Sequence, residues 1–434
     1  MIYYSTNKST PAVTLKEAVV KGLAADKGLF MPEKINKFDK DFLENMDKLS
    51  FREIAFETAR KFFSEDVPDD KLKEIVYDTL PFDCPVVKVK DNIYSLELFH
   101  GPTLAFKDIG ARFMARLLNY FLSGNDEVVN VLVATSGDTG SAVANGFLNV
   151  PGIRVFVLYP KGKVTAIQES QFTTLGQNIT ALEVDGVFDD CQRLVKRAFL
   201  DEEINKRMML TSANSINVAR FMPQAFYYVN GVARLKKLGV KGERVVVSVP
   251  SGNFGNLTAG LIAREMGLPV EQFLAANNAN DVVYEYLQTG VYNPRNSVET
   301  IANAMDVGDP SNFARILDLF GHSHERIFEV IKGYHYSDDE IKATIKKVYK
   351  DTGYLCDPHG ACGFQALEDH LQDGQAGLFL ETAHPAKFIE TVESVIGKDI
   401  LHIPGKLKAF MEGEKKSIPM ANDYGKFREF LLNA

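Results

Sequence analysis

Residues Val131 to Ser141 read VLVATSGDTGS, and residues Val245 to Asn256 read VVVSVPSGNFGN. Each stretch begins as an apolar run and ends in the pattern Ser-Gly-(Asp/Asn)-x-Gly-(Ser/Asn). Glycines in such a turn let the backbone bend sharply and bring its N–H groups close to a ligand. A helix after the turn adds unpaired N–H donors and a partial positive charge, which favour phosphate or carboxylate. Two such turns predict an enzyme that holds two anionic groups of small molecules.

The sequence around these turns alternates between strand-like and helix-like stretches from Pro85 onward. Strongly apolar runs such as Val128 to Ala134 predict buried parallel strands, and the amphipathic stretch Ile109 to Leu122 predicts a helix. This alternation predicts an α/β fold built on parallel sheets. In such folds ligands bind beyond the carboxyl ends of the strands, and both glycine turns lie there.

The first 80 or so residues show a different pattern. Their apolar positions recur at spacings of three and four, which predicts a mainly helical segment. The predicted helices are Leu15 to Leu23, Lys40 to Leu49, Phe51 to Phe63 and Asp69 to Thr79. No catalytic constellation is visible there, so we interpret the segment as a packing or oligomerisation module.

Composition excludes several classes of protein. The chain has 434 residues, of which 45% are hydrophobic and 24% charged, as expected for a globular protein of two or three domains. Its net charge of −8 opposes nucleic acid or an anionic membrane as the main partner, because both require a basic surface. No stretch approaches the ~18 apolar residues of a membrane span, and residues 1–8 do not resemble a secretory signal. We therefore expect a cytoplasmic enzyme with no nucleic-acid or membrane partner.

Two other kinds of site are not indicated. The four cysteines are scattered without a Cys-x-x-Cys pair, so we expect buried free thiols in a reducing compartment and no metal. The stretch Cys356 to Cys362 also contains His359, but structural zinc sites prefer tighter spacing and a second pair of ligands. Neither a Gly-x-Gly-x-x-Gly turn nor a P-loop occurs, which argues against a nucleotide.

Lys107 is the residue that we expect to carry the chemistry. It lies in FHGPTLAFKD (Phe99 to Asp108), with apolar neighbours on both sides, at the predicted start of a helix. Partial desolvation and the positive end of a helix both disfavour its ammonium form. A neutral amine is what attack on a carbonyl requires, and a reactive lysine beside a phosphate-binding turn is typical of pyridoxal phosphate enzymes.

Several motifs in order resemble one family. Thr103-x-Ala-Phe-Lys-Asp108 looks like the cofactor-lysine motif of fold-type II pyridoxal phosphate enzymes, the tryptophan synthase β-like group. Within that group the chain is similar to the threonine synthase family. The similarity is carried by GPTLAFKD (101–108), ATSGDTG (134–140), NSINVAR (214–220), SGNFGN (251–256), GDPSN (308–312) and TAHPAK (382–387).

The resemblance implies two parallel-sheet domains with the cofactor in the cleft, plus the N-terminal segment. We expect that segment at 1–82, a larger domain formed by 83–107 and 196–434, and a smaller one at 108–195. The implied activity is conversion of O-phospho-L-homoserine and water to L-threonine and phosphate by γ-elimination and β-addition of water. A monomer or homodimer is expected.

The resemblance also implies the cofactor site. Lys107 would form the Schiff base with pyridoxal 5′-phosphate and then transfer protons. Gly252, Asn253, Phe254, Gly255 and Asn256 would bind the cofactor phosphate through backbone N–H groups. Thr382 would meet the pyridine nitrogen; the alternative is a buried strand hydroxyl.

Further residues are candidates for substrate binding. Ser136, Gly137, Asp138 and Thr139 would receive the substrate carboxylate, although Asp138 could instead face the cofactor 3′-oxygen or cap the following helix. Asn214, Asn217 and Arg220 suit capture of the substrate phosphate, with Lys161 and Lys163 as helpers, and an inter-domain salt bridge is the alternative for Arg220. His359 and His384 are proton carriers or packing histidines. Asp309 and Asn312 shape a loop or contact substrate.

Other activities remain open at this point. A serine or threonine dehydratase, or a β-replacing synthase, would share Lys107 and the 251–256 turn but would not need Asn214 to Arg220. A silent sensor of phosphorylated amino acids and a nucleotide-binding module are further alternatives.

Overall fold

The computed structural model describes residues 1–124, 128–240 and 244–434, and it contains three β-sheets. Two of them are the parallel-sheet units predicted from the strand–helix alternation, with helices packed against them. The predicted α/β fold class is therefore confirmed. One apolar core contains Ile54 of the N-terminal segment, Val131 of one parallel sheet and Val247 of the other, so the three parts pack together.

Strands and helices alternate along much of the described chain. The strands are β1 Ile2–Ser5, β2 Val13–Thr14, β3 Phe30–Pro32, β4 Val86–Lys90, β5 Ile93–Glu97, β6 Val129–Ala134, β7 Ile153–Pro160, β8 Ile179–Asp185, β9 Met209–Ser212, β10 Val245–Pro250, β11 Gln272–Asn277, β12 Ile331–His335, β13 Ala376–Glu381 and β14 Ser417–Ala421. The helices are α1 Leu15–Lys21, α2 Lys40–Asn45, α3 Phe51–Phe63, α4 Asp69–Thr79, α5 Lys107–Leu122, α6 Asp138–Phe147, α7 Ala166–Thr173, α8 Phe188–Leu200, α9 Glu202–Arg207, α10 Val218–Phe221, α11 Ala225–Lys237, α12 Gly255–Glu265, α13 Val282–Thr289, α14 Phe313–Leu319, α15 His324–Val330, α16 Asp338–Thr352, α17 Pro358–His370, α18 Ile389–Ile396, α19 Gly405–Met411 and α20 Tyr424–Asn433.

The N-terminal segment contains the four predicted helices, α1 to α4. Capping boxes fix the starts of α1 and α3: Thr14 pairs with Glu17, and Ser50 with Glu53. The sequence analysis missed a three-stranded antiparallel sheet in the order β2-β1-β3. Its strands are two to four residues long, too short to show an alternation of apolar and polar positions.

The larger sheet has six strands in the order β12-β11-β10-β13-β5-β4. All of its neighbouring pairs are parallel except β4 and β5, which form an antiparallel pair at one edge. Every residue of β10 and β13 is buried, which explains why both strands are mostly apolar.

The second parallel sheet has five strands in the order β14-β8-β7-β6-β9. The predicted smaller domain at 108–195 is therefore incomplete, because β9 and β14 belong to the same sheet. β9 hydrogen-bonds to β6, and β14 to β8, along their lengths. The predicted boundary at 195 assumes one continuous stretch of chain, whereas the sheet also contains β9 and β14, which come from two later segments.

The carboxyl ends of four strands meet at one pocket. β10 leads into the turn at residues 251–254 and β13 leads to Thr382, whereas β6 leads into residues 135–137 and β9 is followed by Asn214. The pocket therefore lies between the two parallel sheets, where the fold class predicts a ligand.

The architecture also bears on membrane spans and on disulfides. Among the described residues, no helix is both long enough and apolar enough to cross a membrane. All four cysteines are unpaired and buried, as expected from their scattered positions.

Candidate active site

Most of the residues singled out from the sequence surround this one pocket. Its wall contains Lys107, Ser136, Thr139, Asn214, Arg220, Gly252, Asn253, Phe254, Gly255, Asn256 and Thr382. The pocket wall does not include Gly137, Asp138 or Asn217. Two parallel sheets and several distant motifs thus converge at a single site.

Lys107 is held beside Thr382 by backbone hydrogen bonds. The Phe106 N–H donates to the Thr382 carbonyl at 2.8 Å, and the His384 N–H donates to the Leu104 carbonyl at 3.0 Å. Leu104 adopts the left-handed conformation, with φ at 58°, which turns the chain into α5 at Lys107. The lysine is therefore fixed against the segment that follows β13.

The environment of Lys107 shifts its amine towards the neutral form. Burial lowers its pKa from the ordinary value to about 8, and the nearby cations Arg220 and Lys387 act in the same direction, whereas Asp138 opposes them. With a pKa of about 8, roughly a tenth of the amine is neutral at pH 7. The prediction that this lysine is partly neutral is supported.

The turn after β10 is an N–H-rich cradle. Phe254 has a φ of 60°, and the N–H groups of Gly252, Asn253, Phe254 and Gly255 have no acceptor in the described part of the chain. A Cβ at Gly252 would lie 2.6 Å from the Ala304 carbonyl oxygen, so only glycine fits there. Helix α12 begins at this turn and adds its positive end.

Asn256 presents a second kind of donor to the same cradle. Tyr228 donates its hydroxyl proton to Asn256 Oδ1 at 2.7 Å, which fixes the orientation of the amide. Asn256 Nδ2 is buried and has no hydrogen-bond partner among the described residues. A buried amide without an acceptor is costly, so this atom indicates a ligand with acceptor oxygens.

The turn after β6 is organised by Thr135. Its hydroxyl oxygen accepts the Gly137 N–H at 2.9 Å and the Gly140 N–H at 2.8 Å. Gly137 has a φ of 142°, and a Cβ there would lie 2.5 Å from the Gln168 side chain. This close packing leaves Ser136 and Thr139 as the side chains of the turn that reach the pocket.

Asp138 forms a buried ion pair that the sequence analysis did not anticipate. Its Oδ1 lies 2.6 Å from Lys387 Nζ and accepts the Gln168 Nε2 proton at 2.8 Å, and Lys387 also donates to the Thr103 carbonyl at 2.9 Å. Burial raises the pKa of the Asp138 carboxyl, but the charges of Lys387 and Lys107 and the amide of Gln168 together hold it at about 2. Of the alternatives considered for Asp138, the helix cap is wrong: Asp138 is the first residue of α6, and its side chain makes no cap bond.

Arg220 contacts carbonyl oxygens instead of a carboxylate. Its Nε donates to the Ala213 carbonyl at 2.7 Å and its Nη1 to the Lys107 carbonyl at 3.1 Å, while burial lowers its pKa to about 10. The inter-domain salt bridge considered for it is absent among the described residues. Nη2 makes no hydrogen bond to those residues and remains available to a ligand.

Asn214 and Asn217 differ in their availability. Asn214 lies on the pocket wall, and its Nδ2 donates one hydrogen bond to the Ala134 carbonyl at 3.0 Å. Asn217 is fully buried: its Nδ2 donates to the carbonyls of Val19 and Ser212, and its Oδ1 accepts the Ala219 N–H. The structure therefore assigns Asn217 a packing role and contradicts its prediction as a substrate ligand.

The histidines are satisfied by protein partners. His359 Nδ1 lies 2.5 Å from Asp357, and its Nε2 accepts the Ala304 N–H on the pocket wall. His384 Nδ1 accepts the Ala386 N–H, and burial lowers its pKa to about 4. The packing interpretation is supported for both.

Two loop residues have protein partners as well. Asp309 accepts the Tyr292 hydroxyl proton at 2.9 Å, and Asn312 accepts from Arg315 at 2.5 Å. Their loop-shaping interpretation is supported. Lys163 lies 3.2 Å from Glu299 at the exposed mouth of the cleft.

Comparison with known protein families agrees with this geometry. Residues 83–378 match the model described as "Pyridoxal-phosphate dependent enzyme". Residues 2–80 match "Threonine synthase N terminus", and residues 360–431 match "Threonine synthase, C-terminal".

Individual proteins are similar over the whole chain. Threonine synthase of Escherichia coli K12 is 42% identical over 438 residues, and that of Haemophilus influenzae is 44% identical over 434 residues, with full coverage of each chain. The crystal structure of the Escherichia coli threonine synthase superposes with a TM-score of 0.94 at 41% identity, covering all of both chains. A pyridoxal-phosphate-bound threonine synthase from Brucella melitensis gives 0.92 at 33% identity, covering 100% of this chain and 99% of that one.

Proposed function

The chain belongs to the threonine synthase family of pyridoxal-phosphate-dependent enzymes, and from this premise we propose how its own residues carry the reaction. That reaction converts O-phospho-L-homoserine and water to L-threonine and phosphate. The single observation that carries the proposal is the partly neutral amine of Lys107 in the same pocket as the free N–H groups at 252–255. A cofactor that carries an aldehyde and a phosphate needs a neutral amine to react with the aldehyde and a set of N–H donors to bind the phosphate.

The pocket fits pyridoxal 5′-phosphate. The cofactor phosphate suits the N–H groups of Gly252 to Gly255 and the unpaired Nδ2 of Asn256. Thr382, on the pocket wall, suits the ring nitrogen; a hydroxyl cannot keep that nitrogen protonated as a carboxylate would. When bound, the cofactor supplies an aldehyde that links to an amine and a ring that accepts electrons when a substrate carbon loses a proton.

The chain's own groups orient the substrate and move its protons. We assign the substrate carboxylate to Ser136 and Thr139, and the leaving phosphate to Arg220 Nη2 with Asn214 beside it. Lys107 Nζ takes protons from the α- and β-carbons of the substrate and returns protons to the γ-carbon, which loses the phosphate, and to the α-carbon, while the β-carbon gains the hydroxyl of water. Lys387 neutralises Asp138 behind the Ser136 turn, so a carboxylate can approach that turn without facing a bare negative charge.

Steady-state assays test this function against its nearest rivals. Phosphate release and threonine formation from O-phospho-L-homoserine should exceed any deamination of serine or threonine. The substrates of a dehydratase carry no phosphate, so that activity would not need Arg220 Nη2 and Asn214 as phosphate ligands. Threonine deamination as the main activity would therefore contradict the proposal.

We further infer a cytoplasmic enzyme that is a monomer or a homodimer and that binds no nucleic acid. Four buried free thiols suit a reducing compartment, and the net charge of −8 opposes a polyanionic partner. One chain supplies the pocket residues on both sides of the cleft. Light scattering of the purified chain checks the assembly state, and a larger oligomer would count against it.

The pKa of Lys107 predicts how fast the cofactor-free chain captures pyridoxal phosphate at each pH. Only the neutral amine attacks the aldehyde, so the rate should rise about tenfold per pH unit below about 8 and level off above it. Stopped-flow absorbance between pH 6 and 10 measures this rate. A rate that keeps rising through pH 10 would indicate an ordinary exposed lysine.

Substitution Gly252→Ala should weaken cofactor binding. The new Cβ would meet the Ala304 carbonyl oxygen at 2.6 Å and the Met305 Cα at 2.8 Å, and both are backbone atoms that cannot swing away. Overpacking of this kind costs about 1–3 kcal/mol, so the Kd for pyridoxal phosphate should rise by roughly 5- to 150-fold. Gly405→Ala is the control, because no atom of the residues that the structure describes lies within 4 Å of its added Cβ. Equal affinities in the two variants would contradict the cradle.

A further inference from the structure

A buried guanidinium lies behind the phosphate cradle. Arg315 has no exposed surface, and all five of its N–H protons have oxygen acceptors. Nε and Nη2 donate to the Phe30 carbonyl, Nη2 also donates to the Ile216 carbonyl, and Nη1 donates to the Ser215 carbonyl and to Asn312 Oδ1. Within residues 1–124, 128–240 and 244–434, no carboxylate pairs with it.

An uncompensated charge in this position requires an explanation. Removing an ion from water is expensive unless a counter-charge lies nearby, and burial alone lowers the pKa of Arg315 to about 9. The guanidinium stacks on the Phe221 ring at 3.9 Å, which offsets only part of that cost. A retained cation without a protein anion therefore points to an anion supplied by a ligand.

The hydrogen bonds from Arg315 fix the direction of a short relay towards the pocket. Asn312 Oδ1 accepts from Arg315 at 2.5 Å, so its Nδ2 faces Ser215 Oγ and donates at 3.0 Å. Asn253 Oδ1 accepts the Ser311 N–H at 2.6 Å, so its Nδ2 donates to the same Ser215 Oγ at 2.6 Å. Each amide is oriented by an independent donor, which removes the ambiguity between oxygen and nitrogen.

The hydroxyl of Ser215 can act only as a hydrogen-bond donor towards a ligand. Two amide donors occupy both acceptor positions of its oxygen, so its own proton has to go to another acceptor. Ser215 is part of the pocket wall together with Asn253 and Gly255. A Cβ at Gly255 would lie 3.2 Å from Ser215 Cβ and 3.3 Å from Asn312 Nδ2, so the serine is packed directly against the phosphate turn.

We propose that Ser215 donates its hydroxyl proton to the cofactor phosphate, and that Arg315 supplies the positive charge behind it through Asn312. This inference rests on the proposed function, because it needs a phosphate on the 252–255 turn. The direct contact of Asn253 with Ser215 favours the cofactor phosphate over the substrate phosphate. Phe30 lies in β3, so the same guanidinium also ties the N-terminal sheet to the cofactor site.

The test compares two aldehydes that differ only in the phosphate. The full-length chain, freed of cofactor by dialysis, is titrated with pyridoxal 5′-phosphate and with pyridoxal, and binding is followed by visible absorbance. Ser215→Ala should weaken pyridoxal phosphate roughly 10- to 100-fold, the range for loss of one hydrogen bond to a charged group, and change pyridoxal by less than about twofold. Ser215→Thr keeps the hydroxyl and should recover most of the affinity.

A second pair of variants tests the charge. Arg315→Gln should weaken pyridoxal phosphate by roughly tenfold or more with little effect on pyridoxal, and Arg315→Lys should lie between it and the wild type. If Arg315→Gln does not fold, Asn312→Asp is used in its place. That variant keeps Arg315, and the new carboxylate beside the guanidinium neutralises its charge. Ser170→Ala and Arg326→Gln are matched controls: Ser170 donates to the Ile167 carbonyl, and Arg326 donates to the Phe320 carbonyl, both outside the pocket wall.

The outcomes separate the inference from the function on which it rests. Equal losses for pyridoxal and its phosphate in Ser215→Ala would mean a merely structural serine and would overturn the proposal. Unchanged cofactor affinity with a raised KM for O-phospho-L-homoserine would move Ser215 to the substrate phosphate and would also overturn it. A wild-type chain that binds both aldehydes equally would instead contradict the proposed phosphate cradle itself.

Discussion

The Lys107→Ala variant should lose turnover of O-phospho-L-homoserine by at least ~10³-fold. The substitution removes both the amine that links to the cofactor and the group assigned to proton transfer. The helix that follows should remain intact, because alanine is a good helix former and Lys107 is the first residue of α5. Steady-state phosphate release and far-ultraviolet circular dichroism, measured on the same preparation, separate loss of chemistry from loss of fold.

The same site offers an internal control for the identity of the amine. Lys387 is a second buried lysine near Lys107, but its Nζ is paired with Asp138. Borohydride treatment of the wild-type protein loaded with pyridoxal phosphate should fix the cofactor to the peptide that contains Lys107. Label on the Lys387 peptide, or full turnover by Lys107→Ala, would contradict the assignment.

Substitution Lys387→Met should lower the free energy of unfolding by about 3–5 kcal/mol, the usual effect of leaving one member of a buried ion pair alone. The pair joins α6, which follows a strand of the five-stranded sheet, to the turn after β13 of the six-stranded sheet. Asp138→Asn should also destabilise, and the double variant should lose less than the sum of the two single losses. Urea unfolding of the three variants measures this coupling.

A solvent-exposed pair provides the matched control for that cycle. Lys163 and Glu299 also lie on opposite sides of the cleft, but their side chains are 50% and 77% exposed. Lys163→Met should therefore change the free energy of unfolding by less than about 1 kcal/mol. Similar losses for Lys163→Met and Lys387→Met would contradict the importance of burial.

The two members of the buried pair should also shift the reactivity of Lys107 in opposite directions. Lys387 lowers the pKa of Lys107 and Asp138 raises it. Lys387→Met should therefore move the midpoint of the cofactor-capture profile to higher pH, and Asp138→Asn should move it to lower pH. A purely structural effect would slow both variants without such opposed shifts.

The sequence was sufficient for those parts of the site whose chemistry is local. The turn at residues 252–256 depends on glycine and on a helix start, and the environment of Lys107 depends on the apolar residues next to it; both can be read along the chain. The starts of α3 and α4 were also predictable, because apolar periodicity is a property of a few successive residues.

The features that sequence analysis missed depend on residues far apart in the chain. Asp138 and Lys387 are joined only by the folding of two sheets, so nothing near either residue revealed the pair. Asn217 looked available in sequence, but its amide is used by Val19 from the N-terminal segment. Lys387 did lie within the TAHPAK motif, which was the one signal that could have drawn attention to it.

The order in which the five-stranded sheet receives its strands has a consequence for biosynthesis. During translation β8 emerges long before β14, so its edge has unpaired backbone groups while most of the later domain is still being made. An open edge of this kind is a template for pairing with another polypeptide. Chains that stop before residue 417 would keep that edge exposed, and we expect them to aggregate or to depend on chaperones even though the pocket residues precede that point.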